Sequence, residues 1–230
     1  MRRLRTIASA VVCIVGAGLF TAANVMPSHA VEVYDLLFKN GTLDDMSQGS
    51  VLEYDRTVSA RDNEELGAKS TGTIRLSIEP EDMAGLQFVQ GEKFRKIGEF
   101  PSTVGNPMIM YFVETVIRDM AGTAGGSPYY IRNRVKAALI EDAPIVDAVI
   151  SVHGKDVKAQ AITLYPFKND PNRARMKGFG DLALTITMSA DVPGWYYSLK
   201  ADTDAAGADS TDAAPAYFSE IVLAKAEAIQ

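Results

Sequence analysis

Apolar residues recur at every second position early and late in this chain, and at helical spacing only in its middle. Leu52, Tyr54 and Val58 alternate with Glu53, Asp55 and Thr57. Ile74, Leu76 and Ile78 alternate with Thr73, Arg75, Ser77 and Glu79. This period marks half-buried antiparallel strands with one face in water. Residues 86–90 and 93–100 read as a further pair joined around Gly91. The period then changes. Asn106-Pro107 opens a helix, since Asn accepts from free amide donors and Pro suits the first helical position. Ile109, Phe112, Val113, Val116, Ile117 and Met120 follow at helical spacing, and Gly122 supplies a stop. Ser127-Pro128 repeats the start signal for a second helix, predicted to run to about Asp142 with Ile131, Val135, Ala138 and Leu139 as its stripe. After Pro144 the two-residue period returns in residues 146–152 and 182–188; residues 157–165, apolar on both faces, 195–201 and 217–224 read as further strands, the last in preference to a helix.

Strands, two helices, then strands is not the alternation that builds a parallel doubly wound sheet. It predicts an α+β fold: a curved antiparallel β-sheet of about eight or nine strands, with a central two-helix insertion packed against it. That succession resembles, in architecture alone, the periplasmic lipoprotein-carrier proteins and related envelope proteins of Gram-negative bacteria. No motif transfers site residues from them.

Residues 1–30 read as a secretory signal peptide. Arg2, Arg3 and Arg5 precede an uncharged run from Ile7 to Phe20, and Ser28-His29-Ala30 places small residues where a signal peptidase reads. Residues 31–230 then form a single exported domain, periplasmic or secreted. The alternative is an N-terminal membrane anchor, because Thr6 to Met26 is 21 residues without a charge. Cys13 is the only cysteine; Val12 before it argues against lipid attachment, and it leaves with the leader. Disulfides therefore do not stabilise the domain. Without the three leader arginines, 20 Lys and Arg face 29 Asp and Glu, a net charge of −9. Such a body argues against nucleic acid as a partner. Residues 202–216, rich in Ala, Asp, Ser and Thr, read as a mobile acidic loop.

The sequence carries no motif for a catalytic residue, metal ligand or cofactor. His153 is the only histidine of the mature chain and falls in a hairpin turn, whereas zinc wants several His or Cys ligands. No G-x-S-x-G, H-E-x-x-H or C-x-x-C is present. The glycine-rich stretch from Gly122 to Ser127 lacks the lysine of a phosphate loop. Asp44-Asp45, Glu64-Glu65 and Glu141-Asp142 are adjacent acids, the default of a solvated surface.

Two features point elsewhere. The first helix carries Met108, Met110 and Tyr111 beyond its stripe, and Met-rich surfaces adapt to varied apolar partners. Met108, Ile109, Phe112, Val113 and Val116, with Trp195 from the Trp195-Tyr196-Tyr197 cluster, are the expected ligand wall. The same helix also reads as plain core between the sheet and the second helix. Arg173, Arg175 and Lys177 alternate with apolar residues; in an extended segment they would share one side and meet an anionic partner, or pair with the chain's own carboxylates. The expectation is a non-enzymatic cell-envelope protein that binds an apolar or amphipathic ligand, a lipid or an acylated partner, and meets a membrane only peripherally or through an uncleaved leader. A cavity-free envelope interaction module is the second expectation. A carboxylate-only hydrolase, with two acids facing across a cleft, is the third.

Overall fold

The computed structural model describes residues 28–152, 154–203 and 215–227. The predicted signal peptide up to residue 27 with Cys13, the His153 turn and most of the acidic loop lie outside the described residues. In chain order the elements are α1 (Ser28–Leu37), β1 (Val51–Ala60), α2 (Glu64–Ser70), β2 (Gly72–Glu79), β3 (Met83–Gln90) and β4 (Lys93–Pro101). Then come α3 (Met108–Ala124), α4 (Pro128–Ala138), β5 (Ile145–Val152), β6 (Lys155–Leu164), β7 (Ala183–Met188), β8 (Tyr196–Asp202) and β9 (Tyr217–Glu227).

All nine strands join one antiparallel sheet in the order β4-β3-β2-β1-β9-β8-β7-β6-β5. Two meanders therefore meet at β1 and β9, from Val51 opposite Glu227 to Ala60 opposite Tyr217. The edges are β4 and β5, the two strands that flank the helices in sequence. A chain leaving one edge for the other must cross the sheet, and α3 and α4 make that crossing over one face. The α+β architecture with its central helical insertion is thus the one expected from the periodicity.

Alternation decides what that face contains. On β1, Leu52, Tyr54, Arg56, Val58 and Ala60 point inward and are buried, while Asp55, Thr57 and Ser59 are exposed. Ile74 and Leu76 on β2 and Leu184, Ile186 and Met188 on β7 extend the inner face, each at or below 1% exposure. Burying each such side chain stabilises the fold by roughly 1.5–3 kcal/mol.

Asn106 does start α3: its Oδ1 accepts from Met108 N at 3.0 Å, and its Nδ2 donates to Tyr54 Oη (3.0 Å) and to the Gly194 carbonyl (2.8 Å). The helix passes through Gly122, however, and stops at Gly125, whose φ of +80° is costly for other residues. The second helix ends at Ala138, short of Asp142. Its stripe of Ile131, Val135, Ala138 and Leu139 is buried as expected.

Two helices, α1 and α2, lie outside the segments predicted as helical. In α2 no residue is buried, so no apolar stripe announces it; Asn63 caps it by accepting from Leu66 N at 3.0 Å. In α1, Val33 and Leu37 are fully buried. Trp195 Nε1 and Tyr196 Oη donate to the last carbonyls of α1, Leu36 O at 3.0 Å and Leu37 O at 2.6 Å. Strand alternation would send Trp195 and Tyr196 to opposite faces. Trp195 escapes it through a left-handed backbone (φ +77°) just before β8. Cleavage after Ala30 would remove only the first residues of α1 and leave Val33 and Leu37 in place.

Candidate functional site

The expected ligand wall packs into the core. Met108, Ile109, Phe112, Val113 and Val116 are all buried at 4% exposure or less, and none lines any of the three openings described below. Trp195 lies against α1, with Lys39 Nζ 4.0 Å above its ring.

The open space lies on another flank of the same helix. A groove of about 450 Å³ runs between α3 and the edge strand β4, lined by Ile97, Phe100, Met110, Tyr111 and Thr115 with Arg95, Lys96, Arg118 and Glu114. The positions 110, 111, 114, 115 and 118 form one helical stripe, next to the buried one. On β4 the inward positions are those paired with buried Phe88, Leu86 and Ala84, namely Arg95, Gly98 and Phe100. A bulge makes Ile97 an extra residue between Lys96 and Gly98, and Ile97 packs partly buried beside Phe100. Gly98 has no side chain and the Phe100 ring lies over it, 3.1 Å from where a Cβ would stand, while Arg95 is exposed, so the space between α3 and this edge stays open.

The charges around the groove are unequally satisfied. Arg132 holds both oxygens of Glu114, at 2.9 and 2.7 Å, and that bond keeps the Glu114 carboxyl below its usual range. Lys96 is paired with Glu99. Arg95 rests over the Phe88 ring at 5.8 Å, and Arg118 is exposed. Neither arginine closes an ion pair among the described residues.

Behind the groove sits a buried polar cluster that the sequence reading passed over. Arg56, only 3% exposed, donates to Tyr111 Oη at 3.1 Å and to Asp119 Oδ2 at 3.3 Å, and Tyr217 Oη donates to the same Asp119 oxygen at 2.9 Å. Among the described residues Arg56 Nε has no hydrogen-bond partner. Burial pushes the Asp119 carboxyl up, against the pull of Arg56 and Tyr217, and burial beside Asp119 raises the Tyr217 hydroxyl strongly. The signal for this cluster was present. Alternation puts Arg56 between inward Tyr54 and Val58, and a buried arginine requires a carboxylate or its equivalent.

The basic loop has a different geometry from the one expected. Residues Arg173–Arg175 form a turn of 3₁₀ helix, so alternation does not align the three cations. Arg173 pairs with Asp181, Lys177 reaches the Thr123 carbonyl at 3.3 Å, and Arg175 is exposed. The loop is tied to α4 through Asp170, which accepts from Tyr130 Oη and Arg134 Nε, both at 2.6 Å.

Other openings are less suited to a ligand. One of about 200 Å³ is bounded by Tyr165, Lys168, Arg173 and Asp181, where Arg173 and Asp181 bond each other. Another, of about 540 Å³, is bordered by α1 and the turn after it alone. The acidic pairs Asp44-Asp45, Glu64-Glu65 and Glu141-Asp142 are exposed and none borders the groove. No group of three or more potential metal ligands occurs among the described residues, and none of their helices is long and apolar enough to cross a membrane. No protein-family model matches the chain, and no curated protein matches it.

Proposed function

We propose that this chain is a non-enzymatic binding protein of the bacterial envelope that takes up an apolar or amphipathic ligand, a lipid or an acylated partner, in the groove between α3 and β4. One observation carries the reading: an open groove of about 450 Å³ with Ile97, Phe100, Met110 and Tyr111 on its walls. That volume lies in the usual range for small-ligand sites, which are mostly apolar with a few placed polar groups. The leader-like N-terminus supports an exported location. Delipidated protein should take up a fluorescent fatty acid, and Met110→Trp, which narrows the groove, should weaken uptake about tenfold or more, a loss of about 1.4 kcal/mol. Absence of uptake by the unmodified protein would sink the reading.

A second reading, an interaction module of the envelope, is favoured by the edge strand β5. Val146 and Val149 on it are 56% and 70% exposed, and its only charge is Asp147. Unprotected apolar edges invite pairing with another strand. Light scattering that shows self-association, abolished by Val149→Lys, would move the weight to this reading.

A further inference from the structure

We infer that the groove selects ligands with one negatively charged end, fatty acids or similar single-headed anionic amphiphiles; this rests on the binding reading above and names its ligand class. Three of the nine lining residues are cationic, in a chain whose own net charge is −6. The buried and half-buried cations of this acidic chain are taken by its own carboxylates: Arg56 by Asp119, Arg132 by Glu114, Arg134 by Asp170, Arg173 by Asp181. The groove adds two exposed arginines, one from each wall. Lys96 is held by Glu99, but Arg95 and Arg118 close no ion pair among the described residues.

The one acid on the lining does not cancel them. Glu114 is engaged at both oxygens by Arg132, so its charge is already matched from outside the groove. Arg95 comes from the strand and Arg118 from the helix, and the apolar residues share the same lining. A carboxylate at the arginines would gain charge-assisted hydrogen bonds, while the chain covers Phe100, Met110 and Ile97. A neutral head gains none of this, and a cationic head meets two like charges.

The test is a titration of the purified, delipidated full-length protein with a dansyl-labelled fatty acid and with its methyl ester of the same chain length. The acid is expected to bind about tenfold or more tightly than the ester at low salt, as the loss of hydrogen bonds to a charged group implies. High salt should narrow the gap. Arg95→Gln with Arg118→Gln should bring the acid-to-ester affinity ratio close to one, while both Arg→Lys replacements should keep most of the preference. Both arginines are exposed, so the melting temperature of the double variant should hold. Equal binding of acid and ester, or equal loss of both in the double variant, overturns the charge selection and leaves the binding reading intact. Uptake of neither probe overturns both.

Discussion

Two flanks of α3 meet the same sheet and behave differently. Toward the central strands, Phe112, Val116 and Met120 join the inward aliphatic and aromatic side chains in one core, each at 1% exposure or less. Toward β4, Met110, Tyr111, Glu114, Thr115 and Arg118 face strand positions occupied by Arg95, a bulged Ile97 and a side-chain-free Gly98, and a groove remains. Tyr111 belongs to both: it borders the groove, and its hydroxyl receives the buried Arg56. Closing a sheet face thus depends less on how apolar the helix is than on what the opposing strand supplies. The greasiest stripe is the one least available to a ligand.

Substitutions on the two flanks should separate stability from binding. Phe112→Ala, at a site with no exposure, is expected to cost about 3–5 kcal/mol in a denaturant titration. Arg56→Met should cost a similar amount, about 3–5 kcal/mol at neutral pH, because it strands Asp119 without its buried partner. That deficit has a definite pH dependence. Burial already holds the Asp119 carboxyl above its ordinary value, so the protonated form is the one the fold favours. Stability from this group is fully present below the ordinary carboxylate value and is lost as pH rises through the raised one. Without Arg56 the rise is larger, so the deficit should grow with pH and shrink in acid; a deficit independent of pH would show that Asp119 is not the group left stranded.

The groove flank should respond weakly in stability. Glu114→Gln breaks a half-exposed ion pair with Arg132 and should cost no more than about 1 kcal/mol. Its carboxyl is held low, so the lost contribution is the one present above the ordinary carboxylate value and fading as pH falls through the lowered one. Met110→Trp, at a residue 47% exposed, should change stability by no more than about 0.5 kcal/mol while weakening ligand uptake. If it destabilised as much as Phe112→Ala, the groove would be closed in solution and the two flanks would not differ.

Much of this architecture follows from local pattern. Alternation in residues 51–58 and 74–78, and again in 182–188, depends only on which side of a pleat each residue takes, and all these segments are strands. The helix starts at Asn106 and Ser127-Pro128 are equally local, since capping and a preset φ act within a few residues. Helices without a long apolar stripe left no such trace: α2 rests on a cap and an exposed Glu65–Lys69 pair, and α1 on contacts with Trp195 and Tyr196 from the far end of the chain.

The sequence by itself determined the strands, the two central helices and the residues that alternate inward, Arg56 among them. Only the tertiary structure decided that Asp119 and Tyr217 complete Arg56, and that the open space lies beside Met110 rather than Ile109. Period and capping are set by neighbours along the chain. A helix's rotation about its axis, and the strand that each flank meets, are set by packing between residues far apart in sequence, here α3 against a bulged edge strand.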